Sequence, residues 1–218
     1  MPEYDLIRSK RRTIQLTVSA DGRLTVRAPL RAPAREIERA VSERAGWIAE
    51  KQAVALKRRA GWEAPCYAPG ARLPFLGGAI TLTASDGESV SGASIPVPAD
   101  DGEKAKTRVL AWYRREAQRY LPERCAELSR GHGFRFARAS VGMTRVRLGS
   151  CSAKGDIRLS VRLMLAPPEI VDYVILHELC HTVEMNHSPR FHALLKNTTP
   201  NAERCAAWLR DNSVRLQF

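Results

Sequence analysis

Residues 177 to 181 read His177-Glu178-Leu179-Cys180-His181, and four of the chain's five histidines fall between positions 177 and 192. From this composition an H-E-x-x-H pattern is expected by chance only about 0.008 times, so coincidence is set aside. Residues four apart on an α-helix stand one above the other with Cβ atoms about 5–6 Å apart, so His177 and His181 can converge on one ion. Glu178 is turned about 100° from His177. It stands outside that pair but within reach of a water on the open side of the ion, which is the place of a general base.

A catalytic zinc site takes three protein ligands and keeps one position open. The next histidine, His187, lies six residues beyond His181, too far for a continuing helix face. The helix is therefore expected to end near residues 182–185 and the chain to turn back, helped by Asn186, which tolerates left-handed backbone angles. Glu203, on a following helix, is the rival third ligand. His192 is expected to pack or to cap a local turn, and Cys180 to fill the core as a small hydrophobe rather than act as a nucleophile. Three imidazoles and a free carboxylate, without a cysteine-rich shell, favour a catalytic metal over a purely structural one.

These side chains need a scaffold. Pro167-Pro168-Glu169 opens the metal helix, since proline suits a first turn and an acid suits its positive end, and Ile170, Val174, Ile175 and Leu179 give it a buried face. Before it, strand-like pieces at 134–138, 141–148 and 157–165 turn at Gly149 and at Lys154-Gly155-Asp156. A long helix is expected over 103–130, stopping at Gly131-His132-Gly133. Nearer the start, Ile14, Leu16, Val18 and Leu24, Val26, Ala28 alternate on either side of Asp21-Gly22, the pattern of a β-hairpin. One helix should then run from Pro33 to about Arg59, and a small β-ribbon should occupy 71–98. Residues 88–103, rich in Ser, Gly, Pro and Asp, are the expected linker. The fold class is thus α+β, with an N-terminal β-rich part over 1–100 and a metal-dependent hydrolase domain over 101–218.

With 218 residues, 44% hydrophobic and 27% charged, the chain can bury a real core, which excludes a disordered chain and a disulfide-stapled miniprotein. The five cysteines form no C-x-x-C pair, the first 30 residues lack the apolar run of a signal peptide, and no stretch approaches a membrane span. A cytoplasmic protein without a membrane partner is expected.

Thirty-five Lys and Arg against 23 Asp and Glu give a net charge of +12, and residues 107–168 hold 13 of these bases against 4 acids. Should Arg145, Arg147, Lys154, Arg158 and Arg162 line the cleft, the substrate is anionic; otherwise they face water from strands. Arg190 is a further candidate for substrate binding. Three functions follow: a zinc peptidase whose edge strand pairs with an extended substrate, a zinc-dependent hydrolase of nucleoside triphosphates or other phosphoanhydrides, and a nucleic-acid-associated protein that keeps its metal for stability.

The stretches Arg147-Leu148-Gly149-Ser150-Cys151-Ser152-Ala153-Lys154-Gly155-Asp156, Leu165-Ala166-Pro167-Pro168-Glu169, His177 to His181 and Asn186-His187-Ser188-Pro189-Arg190-Phe191 together resemble the YgjP-like metallopeptidase family, which is similar to the SprT and WLM zinc-peptidase groups. The resemblance is strongest over 140–195, with Leu148 standing where the family's pattern usually has Trp. It implies a zincin-like fold with a small mixed sheet beside the active-site helix, a Zn²⁺ cofactor held by His177, His181 and His187, and Glu178 as the catalytic glutamate.

Overall fold

A computed structural model describes residues 2–19, 22–60, 62–85, 94–144 and 147–218, with the side chains of Arg58 and Arg59 excepted. The chain forms two compact units. One comprises residues 1–63 with 211–214, and the other 64–210 with 215–218.

In the first unit, strands β1 (Tyr4–Ser9), β2 (Gln15–Val18) and β3 (Leu24–Pro29) are followed by helices α1 (Ala34–Glu43) and α2 (Ala45–Arg59). The expected hairpin is β2 against β3, antiparallel, with Leu16 opposite Val26; half of its turn, Asp21, lies outside the described residues. β1 completes the sheet in the order β1-β3-β2, running parallel to β3. The alternation of β3 sends Leu24, Val26 and Ala28 into a core with Ile37, Val41 and Ile48. The single helix expected over 33–59 is two helices, broken at Arg44 (φ −111°, ψ 15°). No proline marks the break; the local residue of low helix propensity is Gly46, two positions beyond it.

The second unit holds the remaining elements: β4 (Arg72–Phe75), β5 (Gly78–Ala84), β6 (Ser94–Val97), α3 (Gly102–His132), β7 (Arg138–Gly142), β8 (Gly149–Cys151), β9 (Asp156–Ser160), a 3-10 turn (Val161–Leu165), α4 (Pro168–Cys180), α5 (Pro189–Thr198) and α6 (Ala202–Asn212), whose last two residues belong to the first unit. The ribbon β4-β5-β6 buries Leu73, Ile80, Leu82, Ile95 and Val97 in the same core as α3. For that reason the division by contact falls at Glu63 and Ala64 rather than near residue 100. The linker expected over 88–103 lies partly on residues 88–93, outside the described residues; its remainder holds β6 and the start of α3.

Helix α3 is fixed at both ends. Asp101 caps it by accepting from the Lys104 amide at 2.9 Å, and Gly133 closes it in the left-handed region at φ 72°, with the Phe134 amide donating to the Ser129 carbonyl. Its apolar side, with Val109, Trp112, Tyr113, Leu121 and Cys125, lies along β7 and α4 and shares one buried core with Ile157 and Leu159 of β9.

The second sheet has the order β7-β9-β8, with β7 parallel and β8 antiparallel to β9, so that β8 is an edge. Of the strand expected over 141–148, residues 145–146 lie outside the described residues, and among the others β7 ends at Gly142, while Gly149, read as a turning point, opens β8. The turn at 152–155 does form, closed by the Ser152 amide donating to the Asp156 carbonyl and by Gly155 at φ 77°. The mixed α+β architecture, with the metal helix beside a small mixed sheet, is the one expected. Among the described residues no helix is long and apolar enough to cross a membrane.

Candidate metal centre

Helix α4 begins where the prolines place it, with Pro168 in its first turn and Glu169 beside it. It is apolar almost all round. Ile170, Val171, Val174, Ile175, Leu176, Leu179 and Cys180 are buried, which makes it a core helix rather than a surface one. Two contacts set its position. The β4–β5 turn presses Gly77 against it, so that a Cβ there would lie 3.2 Å from Pro168 Cδ, and Arg124 of α3 grips Asp172 with Nε and Nη2, each at 2.7 Å from one carboxylate oxygen.

The helix ends at Cys180, with His181 as its C-cap still at helical angles (φ −67°, ψ −17°), slightly ahead of the expected 182–185. The His177–His181 spacing therefore keeps its helical geometry. Val183 and Glu184 amides donate to the Cys180 carbonyl, and the chain turns toward α5. Asn186 does not supply a left-handed angle: among the described residues Leu76 is the non-glycine residue with positive φ. Ser188 then caps α5 by accepting from the Phe191 amide at 3.3 Å, and this cap brings His187 back over α4.

His177, His181 and His187 each offer a ring nitrogen, and these atoms lie within 4.8 Å of one another. The Nε2 atoms of His177 and His187 are 3.1 Å apart, close to the roughly 3.3 Å that two nitrogens keep on a tetrahedral zinc ion. His181 Nδ1 lies 3.0 Å from the Glu184 carbonyl oxygen, which can only accept; the ring proton is therefore on Nδ1 and the Nε2 lone pair is free. Burial, with its three histidine neighbours, pulls the His177 pKa down to about 4, and burial also lowers that of His187, so both favour the neutral ligand form. Three imidazoles, with no fourth donor in the cluster among the described residues, fit a divalent transition ion with an open position.

Glu178 is 7% exposed and lies against β8. A Cβ added to Gly149 would lie 2.6 Å from its Oε1, so the carboxyl occupies the space that the glycine leaves. Burial raises the Glu178 pKa to about 7, against the pull of the Arg147 charge. A carboxyl poised near neutrality can take and return a proton.

The other expected residues separate. Arg147 is exposed and acts on Glu178 through its charge. Lys154 is exposed in the β8–β9 turn and Arg190 in the first turn of α5, while Arg145 lies outside the described residues. Arg158 is exposed on β9, where it lies over Gly142, the water-facing strand position that the sequence left open, and Arg162 donates to the Leu216 carbonyl. Glu203, exposed in the first turn of α6, is not part of the histidine cluster. His192 is exposed, with its ring 6.4 Å from that of His187, and Cys180 is buried beside Thr198.

Two residues at the site escape the sequence pattern. Gly149 carries no side chain to read, and Phe191 reads as an ordinary core residue, although its position four after His187 would place the two together on a helix.

A family model described as YgjP-like, metallopeptidase domain, matches residues 12–212. Among solved structures, the chain is similar to the metallopeptidase zymogen abylysin of Pyrococcus abyssi, at 19% identity and TM-score 0.36 over 40% of this chain and 86% of that one. It is likewise similar to the metallopeptidase zymogen jannalysin of Methanocaldococcus jannaschii, at 19% identity and TM-score 0.35 over 40% and 90%. The comparison with curated proteins gave no match.

Proposed function

The chain belongs to the YgjP-like metallopeptidase family, and on that premise we propose that it is a zinc-dependent peptidase in which His177, His181 and His187 hold the ion and Glu178 is the general base. The observation that carries this reading is the buried Glu178 carboxyl, seated against Gly149 one residue along the helix from a converging imidazole triad. When bound, such an ion supplies Lewis acidity, acidifying water and drawing electrons from a carbonyl oxygen.

The protein's own groups do the rest. The Glu178 carboxylate accepts a proton from the attacking water and, once protonated, delivers it to the leaving amine; a pKa near 7 suits both halves of that exchange. Gly149, by presenting backbone only, lets the carboxyl approach the edge strand β8. That strand pairs with β9 on one side, which leaves its other side to pair with an extended substrate backbone.

A phosphoanhydride or nucleic-acid partner draws on the basic residues, of which Arg147 is the one whose charge reaches Glu178. The peptide reading is therefore preferred. The test is an unstructured protein incubated with the zinc-loaded enzyme and with its Glu178→Gln variant. Cleavage lost in the variant while zinc stays bound supports the reading. No cleavage across a broad peptide library, with phosphate release from a nucleotide panel, overturns it.

A further inference from the structure

We propose that Phe191 is the positioning residue of the metal centre, an aromatic floor that closes one face of the histidine triad and leaves a bound ion one open side. This rests on the reading of the triad as a metal site.

The geometry is specific. The ring centroids of His177, His181 and His187 are 5.0, 5.2 and 4.7 Å apart, and the Phe191 centroid is 5.0, 4.5 and 4.8 Å from those of His177, His181 and His187 respectively. Four rings thus stand at the corners of a nearly regular tetrahedron, with Phe191 as its apex. It stacks on His181 at 25° and meets the other two close to edge-on, at 71° and 69°. The apex is filled by a fully buried, apolar ring. An ion held by the three nitrogens must therefore lie on the other side of the triad's plane, and water cannot reach it through the phenyl ring.

The connection to the backbone gives this packing a purpose. Two ligands sit at the end of α4, whereas the third is delivered by the loop that enters α5. The Ser188 cap holds the Phe191 amide in that first turn, so Phe191 joins the element that brings His187 to the two rings on α4. Groups that orient ligands from behind typically change metal affinity by about 10- to 100-fold when altered.

The test compares zinc affinity, by chelator competition, and the visible absorption of the cobalt-substituted protein for the wild type, Phe191→Leu and Leu195→Ala. Leu195 is also buried on α5 and serves as a control for general loss of packing. Phe191→Leu is expected to weaken zinc binding by about 10-fold or more and to dim the cobalt band as extra water enters the coordination shell, while Leu195→Ala leaves both unchanged. Should Phe191→Leu fail to fold by circular dichroism, Phe191→Met, whose unbranched side chain adapts to an irregular gap, is read in its place. Zinc affinity and cobalt spectrum equal to wild type in the folded variant overturn the proposal, as does an equal loss in Leu195→Ala. A wild type that binds neither metal overturns the metal reading itself, and both outcomes are read without any measurement of peptide cleavage.

Discussion

The carboxyl of Glu178 lies against the backbone of Gly149, so closely that a Cβ at residue 149 would sit 2.6 Å from Oε1, 2.7 Å from Cγ and 2.9 Å from Cδ. Real Cβ atoms do not tolerate such approaches, and a buried carboxyl has little room to withdraw. Gly149→Ala is therefore expected to displace Glu178 without disturbing the histidines. Zinc content should stay at the wild-type level while peptide hydrolysis falls by about 100-fold or more. Activity within a few-fold of wild type would show that Glu178 does not work from this position.

The burial of Glu178 also sets a pH dependence in the metal-free protein. Its pKa is raised to about 7 in the fold, so between the ordinary carboxylate range and pH 7 the folded state holds a proton that the unfolded state has released. This group favours folding as pH falls through 7 and opposes it above. His177, lowered to about 4, acts in the opposite sense: below an ordinary histidine pKa the unfolded chain takes a proton that the fold refuses. Removing the carboxylate charge should isolate the first effect. Metal-free Glu178→Gln is expected to be more stable than metal-free wild type at about pH 8, by up to a few kcal/mol, and to approach it by about pH 5. Denaturant melts at the two pH values check this, and equal stability at the higher pH would contradict it.

Arg147 acts on the same group from outside. Its charge draws the Glu178 pKa down against the effect of burial. In Arg147→Ala the acid limb of the pH–rate profile should move to higher pH by roughly a few tenths of a unit, and added salt should reproduce part of the shift in the wild type. A limb that stays in place would separate Arg147 from the site.

Much of this was legible from residue spacing. The i, i+4 histidines, the proline-opened helix and the long helix expected over 103–130 follow from local rules, and the structure has each of them, the last as Gly102–His132. What was not legible depends on contacts distant in sequence. Gly149 read as a turn because nothing local shows a carboxyl filling the space beside it. The sequence left open whether Arg162 lines the cleft or faces water, because the Leu216 carbonyl it donates to lies 54 residues further along the chain. The boundary near residue 100 followed a composition change, whereas the ribbon of Leu73, Ile80 and Ile95 packs into the core of the following helix. β1 carries no alternating pattern because nearly all of it is exposed.

The grip of Arg124 on Asp172 ties α3 to the helix that bears His177 and His181. Both side chains are about a quarter to a third exposed, at 32% and 25%, so solvent weakens the pair without removing it. Asp172→Asn keeps the shape and removes the charge, and is expected to cost about 1–2 kcal/mol in denaturant melts. Zinc affinity should change little, since neither residue touches the triad. An unaltered midpoint would show that the pair adds nothing to stability.

The most direct test of the centre is an anomalous difference map at the zinc edge from crystals grown with zinc. The expected result is one peak about 2.0–2.1 Å from Nε2 of His177, His181 and His187, on the side of the triad away from Phe191. A peak held by Glu203, a peak on other residues, or none near the three rings would contradict the assignment.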